Sequence, residues 1–166
     1  VGVIIAQANT TYSLYVKDAF PDFGIRGVSF LFLLNCVMVV LLQAPLTTLM
    51  ADKNKLGAIG IGAGLAGLSM ALLPLSPVFG VVALGMVLHT FGEMIFFAPA
   101  QFVCYQNAQA THRGRRIGLY RTVYAASRVF GPVIGGFIYQ QFSGDTLWYG
   151  CGVLGALALL ICFYAK

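Results

Sequence analysis

Two residues of opposite charge stand deep inside apolar runs, Glu93 in FGEMIFF and Arg128 in AASRVFG. An isolated charge at the middle of a bilayer costs at least about 2.5 to 3.5 kcal/mol on insertion scales, so residues of this kind pair with one another or do chemistry. Counting from Tyr105 and Arg116, placed at the ends of two antiparallel helices, each charge lies twelve residues in. At about 1.5 Å per residue both are roughly 18 Å deep. Matched depth and opposite sign predict a contact between Glu93 and Arg128, direct or through water. His89 precedes Glu93 by one helical turn and shares its face. A histidine and a carboxylate stacked at that depth are suited to relaying protons. The same residues also admit a structural reading, in which Glu93 neutralises Arg128, two helices are locked together and His89 fills polar space.

Arg128 belongs to a longer stretch, RGRRIGLYRTVYAASRVFGPVIGG at 113–136, which opens on a basic cluster and ends on Gly131, Pro132, Gly135 and Gly136. A soluble core has no use for two unpaired arginines, because each interior charge costs several kcal/mol or more. A membrane bundle with a polar interior accommodates them, and it tolerates a Gly-Pro pair when neighbouring helices satisfy the freed backbone groups. Arg121 shares a face with Arg128 but lies only about 8 Å deep, within reach of the surface by snorkelling. Gln7, Thr11, Asn35 and Met38 interrupt two other apolar runs. They either line a water-filled cavity or tie helices together through hydrogen bonds worth about 0.6 to 2 kcal/mol each.

The elements that must position these residues are membrane helices. Of 166 residues 59% are hydrophobic and only 9% charged, against about 25% charged in globular domains. The expected fold class is an all-α membrane protein with six transmembrane helices, at about 1–16, 27–50, 56–73, 78–105, 117–142 and 147–164, each near the length of about 20 residues that a bilayer demands. Gly60 and Gly64 form a GxxxG pair that permits close helix contact, Pro99 is expected to kink the fourth span, and Trp148 and Tyr149 are expected at an interface. Lys53, Lys55, Arg113, Arg115, Arg116 and Lys166 fall on one side and Lys17 and Arg26 on the other. By the positive-inside rule the DKNK and RGRR loops and the C-terminus are cytoplasmic, in a multi-pass protein of the plasma (inner) membrane.

The net charge of +5 is dispersed in short loops, which argues against nucleic-acid binding. The four cysteines have no paired spacing. His89 and His112 are too isolated to make a zinc site, and no cofactor is expected. The run beginning at Val1 lacks a charged leader, and the chain reads as a fragment of something longer.

Three passages resemble the major facilitator superfamily of transporters. TLMADKNK at 48–55 is similar to that family's loop motif GxLaDRxGRR, with Asp52 on the acid and Lys53 on the following base; Thr48 and Lys55 depart from it. Gly118, Ser127, Gly131-Pro132 and Gly135-Gly136 carry the spacing of the antiporter motif of drug:proton exchangers, with Ser127 where glycine is usual. GEMIFFAPAQFVCYQNAQATHRGRRIGLY at 92–120 and TYSLYVKDAF at 11–20 resemble the helix ten to eleven passage and the polar helix seven of drug-efflux-like members. The resemblance implies that residues 1–166 are the C-terminal half, helices seven to twelve, built as two inverted three-helix repeats. It further implies a small-molecule substrate bound against a missing N-terminal six-helix half, alternating access driven by protons, and a cytoplasmic gate at Asp52 and Lys53.

Other classes fit less well. A six-span channel lacks a filter or half-helix motif, and an intramembrane enzyme lacks a nucleophile elbow, a HExxH pair or paired aspartates. An uptake-type carrier or a non-transporting sensor on the same fold has no sequence feature against it.

Overall fold

The computed structural model describes residues 1–76, 78–106 and 113–165. His112, Lys166 and most of the loop before Arg113 lie outside these. Among the described residues the regular structure is entirely helical: α1 Gly2–Asn9, α2 Thr11–Ala19, α3 Gly24–Leu49, α4 Lys55–Ala71, α5 Phe79–Gln106, α6 Arg113–Gln141 and α7 Gly144–Tyr164, with a short 3-10 turn at Leu73–Leu75.

Four of these stretches are long and apolar enough to cross a bilayer: α3, α4 with its 3-10 extension, α5 and α7. The other two expected spans differ, for separate reasons. α6 has 29 residues, but Arg113, Arg115, Arg116, Arg121 and Arg128 lower its hydropathy. The first expected span folds as two short helices that meet at Thr10, whose backbone leaves the helical region at φ −131° and ψ −82°. Polar side chains compete there for the backbone. Asn9 Nδ2 donates to Ile5 O at 3.1 Å and Thr10 Oγ1 to Ala6 O at 2.8 Å, a local pattern that favours helix ends over helix interiors. Pro45, Pro99 and Pro132 all lie inside helices that continue through them.

The core is a seam on either side of α4, which packs chiefly against α7 and α5. Small residues set its tightness. A Cβ added to Gly67 would lie 2.7 Å from Gly155 Cα in α7, and one added to Gly92 in α5 would lie 2.7 Å from Ala66 N in α4. Side chains cannot fit where backbones approach this closely. Gly60 and Gly64 permit the close helix contact expected of them, a Cβ on Gly60 lying 2.8 Å from Cys162 Cβ and 3.3 Å from Leu159 O, and the tightest crossing of α4 and α7 is Gly67 on Gly155, two turns along from Gly60.

The two ends of the bundle are finished differently. At the basic end, which holds the 50–54 turn and the start of α6, Asn54 caps α4 by accepting from Leu56 N at 3.1 Å and Gly57 N at 3.3 Å. Lys55 Nζ donates to Met50 O at 3.0 Å and to Ala51 O, stabilising the negative end of α3, and lies 5.4 Å from the Phe102 ring. At the opposite end aromatic residues close the bundle. Phe23 stacks on Phe79 at 4.4 Å and Phe20 meets Phe79 edge-on at 5.8 Å. Trp148 is not an interfacial anchor but a wholly buried core residue, edge-on to Tyr15 at 5.5 Å; its neighbour Tyr149 is exposed.

Candidate functional site

The site is built from three helix midpoints. α5 and α6 run antiparallel from the basic end, where Arg113 of α6 lies over the Tyr105 ring of α5 at 4.6 Å, and they meet again where Phe97 packs edge-on to Tyr124 at 5.0 Å. Half-way along these helices stand Glu93 and Arg128, and half-way along α3 stands Asn35. Asn35 and Arg128 both bear on the Glu93 carboxylate, Asn35 as a polar neighbour and Arg128 through its charge. Asn35 Nδ2 also donates to Thr90 Oγ1 at 2.9 Å. Tyr124 of α6 stands one turn before Arg128.

Glu93 and Arg128 each stand near the middle of their helices and bear on one another electrostatically without closing to an ion pair. Glu93 is half-buried and Arg128 exposed on this bundle. The polar groups therefore lie at an open face, on the side of α5 away from the α4 seam.

His89 does not join them. Although one turn from Glu93, it is 2% exposed and turned into the α4–α5 seam, with Nδ1 3.4 Å from Ser69 Oγ. Ser69 commits its single proton to Ala66 O at 2.7 Å, so it presents lone pairs to the imidazole. An offset of four residues rotates a side chain about 40° around the helix axis. Here that rotation separates two environments, and the expected stack of His89 on Glu93 is not formed.

Gln7 and Thr11 do not line a cavity either. Both are buried, and their polar atoms are spent on each other and on α6: Thr11 Oγ1 donates to Gln7 Oε1 at 2.7 Å, and Gln7 Nε2 donates to Gly131 O at 2.6 Å. This assigns the glycines of α6 a packing role. Gly131 and Gly135 are the only buried residues of α6 among those described; Ala6 sits on Gly131, and the Gln7 amide occupies the space a Cβ on Gly135 would take. Gly136 faces open space, and Pro132 lies between the two seats. Met38 is half-buried one turn beyond Asn35, while Asp52 and Lys53 are exposed in the turn between α3 and α4.

Sequence reasoning missed Thr90 and Tyr124. A signal was present, since Thr90 lies three residues before Glu93 and Tyr124 four before Arg128, the spacings at which helical side chains meet.

Long apolar helices with an acid, a base and an amide gathered at mid-length define an integral membrane protein of the all-α class. The sequence profile of the Major Facilitator Superfamily matches residues 1–166, and the chain belongs to that family. It is similar to an uncharacterized MFS-type transporter, YhjO, of Bacillus subtilis (strain 168), with 28% identity over 156 residues. The aligned part covers 92% of this chain and 38% of that relative, so the chain spans well under half the relative's length. No solved structure matches significantly.

Proposed function

We propose that the chain is the C-terminal half of a secondary active transporter that moves a small molecule by alternating access, with proton-coupled efflux as its direction and driving force. In this reading α1 and α2 stack end to end as one span, and α6 crosses the membrane with its arginine balanced by Glu93. Six spans result, in two inverted sets of three: α1/α2, α3 and α4, then α5, α6 and α7. The basic end faces the cytoplasm of a plasma (inner) membrane protein, and Asp52 and Lys53 belong to a gate that meets the N-terminal half. The substrate lies between that half and the open face of α3, α5 and α6.

The observation that carries the reading is the placement of Glu93, Asn35 and Arg128 at the midpoints of three helices on one face. Ionisable residues at that depth are retained for ion or substrate pathways or for pairing, and a carboxylate that is neither fully buried nor locked in an ion pair remains free to exchange a proton. The test is flux in proteoliposomes under an imposed pH gradient, with ethidium as a fluorescent amphipathic probe. Uphill, saturable accumulation that an uncoupler abolishes supports the reading; flux indifferent to the gradient, or single-channel currents, contradicts it.

A further inference from the structure

At the basic end a cavity of about 180 Å³ lies between the end of α3, the start of α4 and the last third of α5. Phe102 and Met94, eight residues apart on α5, both line it, so it reaches about 12 Å along that helix. With Met50, Ala98 and Pro99 they make its walls apolar, and Met94 is buried. The hydroxyl of Thr47, a further lining residue, is spent on Gln43 O at 2.7 Å. No acidic side chain lines the cavity, and Lys55 is its one charged liner. An ammonium carries three protons. Lys55 donates to Met50 O at 3.0 Å and to Ala51 O, which leaves one proton for a ligand beside the Phe102 ring, 5.4 Å from the nitrogen.

We propose that this cavity binds a small aromatic carboxylate, with its ring inward against Met94, Pro99 and Phe102 and its carboxylate outward on Lys55. Size fits: an apolar protein cavity of about 150 Å³ takes up benzene, so the volume here holds one ring with a carboxyl group. A phospholipid, with a headgroup and two chains, is too large for it. The walls fit as well, because methionine side chains repack around a ring and place their sulfur favourably at its edge. Charge selects the class: one cation with one unspent donor matches a single carboxylate, and a charge-assisted hydrogen bond is roughly twice as strong as a neutral one. Asn35, Glu93 and Arg128 do not line the cavity, so the site is separate from the open face of α3, α5 and α6. Through Met50 and Lys55 its occupant touches both ends of the turn that carries Asp52 and Lys53.

The experiment titrates the protein in detergent micelles with benzoate and with benzyl alcohol, its neutral counterpart, and follows binding by saturation-transfer NMR. The expected result is saturable binding of both, about tenfold tighter for benzoate. Lys55→Met, which keeps the apolar stem and removes the charge, loses that preference while still binding benzyl alcohol, and Lys55→Arg retains it. Ala98→Leu, which fills the cavity, loses both ligands, whereas Arg121→Gln, a charge removed outside the cavity, changes neither. Benzoate binding undiminished in Ala98→Leu, or a preference undiminished in Lys55→Met, overturns the inference. If neither variant folds, benzoate bound no more tightly than benzyl alcohol by the unaltered protein overturns it instead. Benzoate binding that appears only after co-purified lipid is stripped assigns the cavity to an acyl chain and overturns it as well.

Discussion

Two faces of α5 hold the same kinds of residue to opposite ends. Toward α4 lies a seam closed by Gly62 and Gly92, in which His89 and Ser69 are buried and satisfied. Toward α3 and α6 lies a looser contact, where Asn35, Glu93 and Arg128 gather at an open face. Half of the most apolar stretch of α4 is buried, against 17% of that of α3. What separates a structural polar residue from a candidate working one is thus the packing around it. A buried donor with a fixed partner stabilises one arrangement, whereas a partly exposed charge held in no ion pair is not fixed in that way.

The largest expected effect lies in the seam. Gly67→Val places a side chain where the Gly155 backbone now lies, an overpacking worth about 3 kcal/mol; a fall in melting temperature of about 6 to 12 °C follows for a chain of this size. Thermal unfolding in detergent measures it, and Gly136→Val, in open space, serves as the matched control with little change. If both variants melt alike, the distinction between seam and face is lost.

Next comes Gln7→Leu, which strips Thr11 of its acceptor and removes the donor to Gly131. The expected loss is about 1 to 3 kcal/mol, read as a lower unfolding midpoint, and a neutral result removes α1's polar seat on α6. His89→Asn sharpens the comparison differently. It perturbs the seam and lowers stability by about 1 kcal/mol, yet leaves the pH profile of flux where the unaltered protein has it. A displaced profile returns His89 to the proton pathway. The smallest effect is expected for Arg121→Gln: the residue is exposed, and stability changes by no more than about 0.5 kcal/mol.

Much of this was legible beforehand. Apolar run length and charged turns predicted every long helix to within a few residues, because burial in a bilayer leaves little choice of backbone structure. The mid-helix placement of Glu93 and Arg128 followed from counting alone. Direction around a helix was less legible. His89 and Glu93 are separated by about 40° of rotation, and Gln7 and Thr11 look like cavity residues until their partners on α6 and on each other are known. The break at Thr10 had a local cause in Asn9 and Thr10, and the stretch from Gln7 to Ser13 is the most polar of the expected spans. Trp148 was assigned to an interface by position, whereas the neighbouring Tyr15 ring and the α4–α7 seam draw it inside.

The account turns on Glu93 being the proton-bearing group of the loose face. Its most direct test is uphill flux driven by a pH gradient in proteoliposomes of Glu93→Gln beside the unaltered protein, with downhill exchange of the same probe measured in parallel. The account predicts that Glu93→Gln loses gradient-driven accumulation while downhill exchange persists; undiminished uphill accumulation in Glu93→Gln would contradict it.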